Sequence, residues 1–179
     1  MLGAITARSE TEWDSIKRTA VDLGYGCSPD DAWLGLRGLR SLAARLDRHE
    51  ASARMIASWL EAQPEVARVL YPALKSDPGH TIFARDFDRA TGLFGVVLKS
   101  NDSQAIRRMV EGFRHFRLGY SWGGFESLLI PLQENRNVRT ASPLAEAASL
   151  LRISVGLEDP EDLIADLKAG FKRLSGASE

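Results

Sequence analysis

The chain has 179 residues and a formal net charge of −1, the balance of 23 basic and 24 acidic residues. Hydrophobic residues make up 44% and charged residues 26% of the sequence, ordinary proportions for a globular chain long enough to bury a sizeable core. Because the charge is balanced, the sequence lacks the net positive charge that is typical of proteins that bind nucleic acid or an anionic membrane. We therefore expect neither as a partner.

The cysteine content and the lengths of the apolar runs indicate the cellular compartment. Cys27 is the single cysteine, so an internal disulfide framework is excluded and a reducing compartment is permitted. The first ten residues lack a basic segment followed by an apolar run, and no stretch approaches the roughly 18 apolar residues of a membrane span. We expect a soluble, cytoplasmic protein.

The first third of the chain has mainly helical patterns. The apolar run at residues 2–6 predicts a short strand, and a helical pattern begins at Thr11. Ser28 followed by Pro29 is a strong helix start, because the hydroxyl caps free amides and proline has no amide to leave unpaired. The apolar spacing that follows favours one long, bent helix over residues 30–62, with two abutting helices as the alternative.

Beyond Pro64 the chain mixes strands with helices. We predict strands over residues 66–71, 92–98, 117–120 and 151–155, and helices over residues 102–116 and from Pro160 onward. A polar loop is expected around Pro78 and Gly79, and a long surface loop over residues 134–149. The pattern predicts an α/β chain whose residues 64–179 form a small domain of α+β type, a mixed or antiparallel sheet covered by helices.

Most residues with chemical potential have ordinary explanations. His49, His80 and His115 lack metal-ligand spacing, so no metal site is expected, and His49 is assigned to the polar face of the long helix. Ser121 and Ser127 do not stand in a GxSxG frame, so a hydrolase nucleophile is not supported.

Two places remain as candidates. Residues 120–124, Tyr-Ser-Trp-Gly-Gly, combine two aromatic rings and a hydroxyl with glycines that permit close backbone approach, although a bulged strand end packed on the core would look the same. Arg152 stands inside an apolar run. It either lies on the solvated face of a half-buried strand or aims its guanidinium at a carboxylate in a two-hydrogen-bond fork.

Five segments, in order, resemble the transsulfuration enzymes, a pyridoxal-phosphate (PLP) family with the fold of aspartate aminotransferase. They are SPDDAWLGLRGLRSLAARL, WLEAQPEVARVLYPAL, TGLFGVVLK, YSWGGFESLL and LLRISVGLEDPEDLIADL. The resemblance covers nearly the whole chain. It implies that residues 1–63 are the tail of the PLP-binding domain plus a long connecting helix, and that residues 64–179 are the small C-terminal domain.

Trp122 indicates which branch of the family the chain resembles most. The γ-acting relatives usually carry Ser-Leu-Gly-Gly here, whereas Tyr-Ser-Trp-Gly-Gly is similar to bacterial cystathionine β-lyases. This implies β-elimination of L-cystathionine, an amino-acid thioether, to homocysteine, pyruvate and ammonia in methionine biosynthesis. It also implies a homo-oligomer, which is a tetramer in intact members.

The resemblance assigns roles residue by residue. Arg152 matches the arginine that binds the substrate α-carboxylate, Ser121 matches a neighbour that helps to hold it, and Tyr120 and Trp122 match side chains that line the substrate pocket. The family's Schiff-base lysine, in a Ser-x-Thr-Lys-Tyr segment, and the residues that bind PLP have no match among the 179 residues. No residue here is therefore assigned as catalytic or cofactor-binding, and the chain alone is expected to be inactive.

The sequence leaves alternatives to a cystathionine β-lyase open. The chain could be a non-catalytic, truncated relic or a self-association module, or a relative of the cystathionine γ-synthase and γ-lyase type. Cystine or a related thioether could replace cystathionine as the substrate. A helix-turn-helix protein that binds nucleic acid would rest only on helix density and scattered arginines, and the neutral charge speaks against it.

Overall fold

A computed structural model describes residues 3–132 and 149–176. Its internal contacts divide the chain into two compact units, unit 1 (Met1–Ala44) and unit 2 (Arg45–Glu179). The domain boundary expected between residues 63 and 64 stays a prediction. No helix in the described ranges is long and apolar enough to cross a membrane.

Unit 1 contains two helices, and the serine cap predicted at Ser28 for the second of them is confirmed. Ser9 accepts a hydrogen bond from the Glu12 amide at the start of α1 (Glu10–Asp22), and Ser28 accepts one from the Asp31 amide at the start of α2 (Pro29–Arg40). The strand predicted over residues 2–6 is wrong for residues 3–6, which pair with no described strand. Leu2 lies outside the described residues.

The long helix favoured over residues 30–62 is also wrong, and the alternative of two abutting helices is right. α2 ends at Arg40, and α3 (Leu42–Glu61) begins after Ser41. The Ser41 amide donates to the carbonyl oxygen of Gly38, three residues back, at 3.3 Å. This tighter turn breaks the i→i−4 ladder, a break that apolar spacing does not reveal.

Unit 2 is built on a mixed five-stranded sheet of order β1-β2-β5-β4-β3, which confirms the predicted fold class. The strands are β1 (Val66–Leu70), β2 (Leu93–Leu98), β3 (Arg117–Leu118), β4 (Leu128–Leu132) and β5 (Leu150–Ser154). All neighbours are antiparallel except β3 and β4, which are parallel. β4 was not predicted, since its apolar run is short and contains Pro131, a residue that weakens the signal for a strand.

Besides α3, most of which belongs to unit 2, the described part of this unit contains three more helices. α6 (Pro160–Ser175) begins as predicted, with Asp159 capping its first turn. α4 (His80–Asp86) stands where a polar loop was expected. α5 (Ser103–Glu111) ends before the predicted residue 116 because the amides of Arg114, His115 and Phe116 turn to the carboxylate of Asp166 on α6. Most of the predicted loop over residues 134–149 lies outside the described residues.

The core joins one sheet face to α3, α5 and α6. Its most buried side chains include Ile56, Leu60, Met109, Leu151, Ile153, Leu163 and Leu167. The placement of His49 on a polar helix face is wrong: the side chain is 2% exposed, and its Nδ1 lies 2.8 Å from the carbonyl oxygen of Val155. His49 precedes Ala53 by four residues and Ile56 by seven, so helical geometry brings it to the apolar face.

Candidate functional site

The candidate site lies where the segment between β3 and β4 meets the end of β5. We call residues 119–127 the connecting segment; it belongs to no helix or strand. Both candidate places from the sequence, residues 120–124 and Arg152, lie here. The structure thus brings together side chains that are about 30 residues apart in the chain.

Sheet register decides which way Arg152 faces. On β5 it stands opposite Gly95 of β2 and Ile130 of β4. Its neighbours Leu151 and Ile153 belong to the helix-covered core. Because side chains alternate along a strand, Arg152 leaves the sheet on the other face, next to the connecting segment.

The guanidinium of Arg152 is anchored. Its Nη2 donates to the carbonyl oxygens of Gly119, Tyr120 and Ser121 at 3.3, 2.7 and 3.1 Å. Its Nε is buried and has no hydrogen-bond partner among the described residues. A simple solvated arginine would show neither feature. The side chain is fixed in place by three backbone carbonyls and brings its positive charge to the exposed connecting segment.

The aromatic side chains of the connecting segment face outward. Tyr120 is 73% exposed, Trp122 63% and Phe125 70%. The alternative of a bulged strand end packed on the core is therefore wrong for these rings. Exposed aromatic side chains around an anchored arginine can contact both the apolar and the charged part of an amino acid.

The far end of the connecting segment is held by residues that sequence analysis missed. The carboxylate of Glu158 accepts hydrogen bonds from the amide and the hydroxyl of Ser127, both at 2.7 Å. The Ser127 hydroxyl also accepts from the Gly156 amide at 2.8 Å, and Ser127 is fully buried. The Gly123 amide donates to Ser154 Oγ at 3.1 Å. A buried serine next to an apolar run was the available signal, because such a hydroxyl needs partners.

The described residues at this site suit an anionic group better than they suit PLP. PLP is held in enzymes through a lysine. Lys99 donates to the carbonyl oxygen of Pro64, and Lys168 lies over the ring of Trp59. In the described part of the chain, no lysine ammonium hydrogen-bonds to the connecting segment. These residues alone therefore do not fit PLP, and the same part of the chain contains no cluster of metal ligands.

Comparison with known proteins gives this geometry a context. The family model described as "Cys/Met metabolism PLP-dependent enzyme" matches residues 1–172. A cystathionine beta-lyase of Haemophilus influenzae is 39% identical in an alignment of 178 positions that covers 98% of this chain and 45% of that protein. An L-alanine/L-glutamate racemase of Wolbachia pipientis is 37% identical over 97% of this chain and 43% of its own length.

The fold has the same relatives. A cystathionine gamma synthase of Xanthomonas oryzae pv. oryzae, solved with aminoacrylate and cysteine, superimposes with a TM-score of 0.81 at 36% identity. The alignment covers 97% of this chain and 46% of that one. The chain therefore spans a little under half the length of the relatives that it matches.

Proposed function

The chain belongs to the Cys/Met metabolism PLP-dependent enzyme family, and on that premise we propose that it forms the substrate-carboxylate side of a PLP-dependent carbon–sulfur lyase that cleaves L-cystathionine by β-elimination. The reaction breaks the Cβ–S bond and, with one water, gives homocysteine, pyruvate and ammonia. The observation that carries this proposal is the anchored guanidinium of Arg152 beside the exposed Ser-Trp pair at residues 121 and 122.

Arg152 is the proposed carboxylate-binding residue. Three backbone carbonyls restrain its Nη2, while the buried Nε lacks a described partner. An arginine that is already ordered loses little freedom when it binds, and each charged hydrogen bond to a carboxylate contributes about 1.5–3 kcal/mol. Holding the α-carboxylate fixes the amino acid's orientation, which is the main demand of a reaction at Cα and Cβ.

The other proposed substrate-binding residues are Ser121, Tyr120 and Trp122. The Ser121 hydroxyl is a second donor to the same carboxylate, because its own backbone carbonyl already lies 3.1 Å from Arg152 Nη2. Tyr120 and Trp122 are exposed and lie one residue to either side. We assign them to the lining of the thioether pocket, where aromatic rings contact the methylene and sulfur groups.

We propose that PLP is bound mainly by the part of the protein that precedes the matched region in the relatives. The described residues offer no lysine to this site, and the relatives are more than twice as long as this chain. Under this proposal residues 1–63 are the tail of the PLP-binding domain plus the connecting helices, and residues 64–179 are the small domain. The lyase works in the cytoplasm.

A homo-oligomer, tetrameric as in intact family members, completes the proposal. Unit 1 exposes large apolar side chains: Trp33 is 59%, Leu39 66% and Val21 65% exposed. Exposed large apolar side chains in this number are typical of a surface that another part of the protein or a second copy covers. Light scattering coupled to size-exclusion chromatography of the full-length protein is the test, and a monomeric mass would remove this part of the proposal.

Product analysis tests the reaction. The full-length protein is loaded with PLP and given L-cystathionine. We expect stoichiometric pyruvate and homocysteine. Cysteine with 2-oxobutyrate would instead identify a γ-lyase, and failure to cleave any thioether would support the non-catalytic alternative. Cystine as a parallel substrate shows whether the preference extends to disulfides.

The γ-acting alternative has structural support of its own, since the superimposed γ-synthase covers nearly the whole chain. The racemase relative adds a third possible outcome. Interconversion of L- and D-alanine without release of pyruvate from L-cystathionine would favour that activity. Trp122 supports the β-lyase, because the notable difference from γ-acting sequences lies there.

A further inference from the structure

The conformation of the connecting segment depends on hydrogen bonds at its two ends, because most of its own side chains are exposed and do little to restrain it. Residues 120–126 are exposed, so burial contributes little to their position. A segment without regular structure or burial samples many conformations unless hydrogen bonds restrain it. The placement of Ser121 and Trp122 relative to Arg152 therefore depends on where the two ends of the segment are tied.

One end is tied by Arg152 itself and the other by Glu158. Both residues belong to the same stretch, β5 and the turn that follows it. The Glu158 carboxylate accepts two hydrogen bonds of 2.7 Å from Ser127, and Ser127 Oγ accepts the Gly156 amide. Hydrogen bonds that involve a charged group are stronger than neutral ones, and both ends of the segment are held by such bonds.

The fit at this end is close. A Cβ added to Gly156 would lie 2.3 Å from the Phe125 carbonyl oxygen and 2.5 Å from the Glu158 carboxylate. The Leu157 amide donates to that same Phe125 carbonyl at 2.9 Å. Gly123, with φ +77°, turns the chain back so that its amide reaches Ser154 Oγ. Several hydrogen bonds therefore join the segment to β5 and the residues that follow it. Among those named here, only the bonds of Ser127 to the carboxylate require Glu158.

We propose that Glu158 is a positioning residue for the substrate α-carboxylate: through Ser127 it holds the connecting segment at the distance from β5 where Ser121 and Arg152 meet the same carboxylate. This inference rests on the proposed function, since it takes Arg152 as the carboxylate-binding residue. Glu158 itself does not touch the substrate. Small misplacements of the groups that bind a carboxylate have large effects on affinity, so the contribution of Glu158 can be measured as a change in Kd.

Loss of the Glu158 carboxylate should loosen the segment and leave the fold intact. The contacts made by Gly123 and Leu157 persist, because they go to Ser154 and to the Phe125 carbonyl. Glu158→Gln keeps one acceptor for the Ser127 amide and should restore most of the geometry. Glu126→Gln is the matched control: Glu126 is exposed and stands next to Ser127.

The test measures carboxylate binding separately from catalysis. L-alanine and ethylamine differ only by the carboxylate, and neither has a leaving group at Cβ. Their dissociation constants are measured by calorimetry on the full-length holoenzyme. We expect Glu158→Ala to raise the Kd of L-alanine about tenfold and that of ethylamine less than about twofold. Ser127→Ala should give an intermediate effect, Glu158→Gln should stay within about threefold of the wild type, and Glu126→Gln should match it.

Two results would overturn the proposal. One is an L-alanine Kd that stays at the wild-type value in Glu158→Ala. The other is an equal loss for L-alanine and ethylamine, which would mean that Glu158 only supports the fold. The proposed reaction is judged separately. If the variants give the expected Kd pattern but the wild type releases no pyruvate from L-cystathionine, the lyase is refuted and the positioning role stands.

Discussion

Arg152 Nη2 lies 2.7 Å from the carbonyl oxygen of Tyr120, so the residue proposed to bind the substrate also holds the backbone that lines the substrate pocket. The two roles use different parts of one side chain. Nη2 is committed to the connecting segment, which leaves the rest of the guanidinium for the proposed substrate carboxylate. A substitution at Arg152 must therefore change both substrate affinity and the order of residues 119–121.

Arg152→Ala should weaken substrate binding far more than it slows turnover. Loss of one or two charged hydrogen bonds of about 1.5–3 kcal/mol each predicts a rise in KM for L-cystathionine of about tenfold or more. Arg152→Lys should recover little, because an ammonium cannot serve three carbonyls and a carboxylate in one plane. Steady-state kinetics of the full-length protein measure this. Arg117→Ala, at an exposed arginine of β3, is the control, and an unchanged KM in Arg152→Ala would contradict the assignment.

Trp122→Leu separates specificity from stability. The ring is 63% exposed, so the free energy of unfolding should change by less than about 0.5 kcal/mol. We expect kcat/KM for L-cystathionine β-elimination to fall about tenfold or more, since one lining aromatic contact is lost. Urea unfolding and product analysis on the same preparations provide the two readouts. Equal catalysis by both proteins would remove Trp122 from the pocket.

Gly156→Ala tests how closely β5 approaches the connecting segment. The added methyl group would lie 2.3 Å from the Phe125 carbonyl oxygen and 2.6 Å from the Glu126 carbonyl carbon, both backbone atoms that cannot move alone. We expect a loss of about 1–3 kcal/mol of unfolding free energy, measured by urea titration. Gly124→Ala is the matched control, because a Cβ there meets nothing within 4 Å. Equal stability of the two variants would show that the approach is looser than described.

Asp166→Ala removes a buried acceptor from three successive backbone amides. Arg114, His115 and Phe116 donate to this carboxylate at distances between 2.8 and 3.2 Å. Of the three amide bonds only that of Phe116 is fully buried, and an unpaired buried amide costs about 1–3 kcal/mol. We therefore expect a loss of about 2 kcal/mol or more, with Asp166→Asn in between. Chemical denaturation of the chain gives the values. Asp162→Ala, on the exposed side of α6, should cost less than about 1 kcal/mol by comparison.

Tyr71 should make the protein less stable at high pH. Burial raises the pKa of Tyr71 from 10.0 to about 12, and the positive charge of Arg54 lowers it by a smaller amount. The folded state thus favours the neutral phenol, whose hydroxyl donates to the Thr91 carbonyl. This stabilisation is complete below pH 10 and is lost as the pH rises through about 12.

The pH dependence can be isolated with Tyr71→Phe. The difference in pKa corresponds to at most about 3 kcal/mol of unfolding free energy. Between pH 9 and 12 the wild type should therefore lose up to that much more stability than the phenylalanine variant, which has no proton to release. At neutral pH the variant should be about 1 kcal/mol less stable, through the lost hydrogen bond. Parallel unfolding curves for the two proteins across this range would contradict the burial of Tyr71.

The starts of α2 and α6 could be predicted from the sequence, because they depend on residues within one turn of the helix. Asp159 and Pro160 mark the start of α6, and Ser28 and Pro29 mark that of α2, because caps and proline act within one turn. The end of α5 could not be predicted in this way. It depends on Asp166, which lies about 50 residues further along the chain and captures the amides that would have continued the helix.

The sequence by itself determined the family, through five ordered motifs, and it singled out Arg152, Ser121, Trp122 and Tyr120 by residue type and resemblance. Only the tertiary structure decided how these residues meet. Antiparallel pairing puts β5 between β2 and β4, which places Arg152 against the carbonyls of residues 119–121. It also brings Glu158 to Ser127 across 31 residues of chain. Hydrogen bonds between distant, irregular segments leave no periodicity in the sequence, so folding alone reveals them.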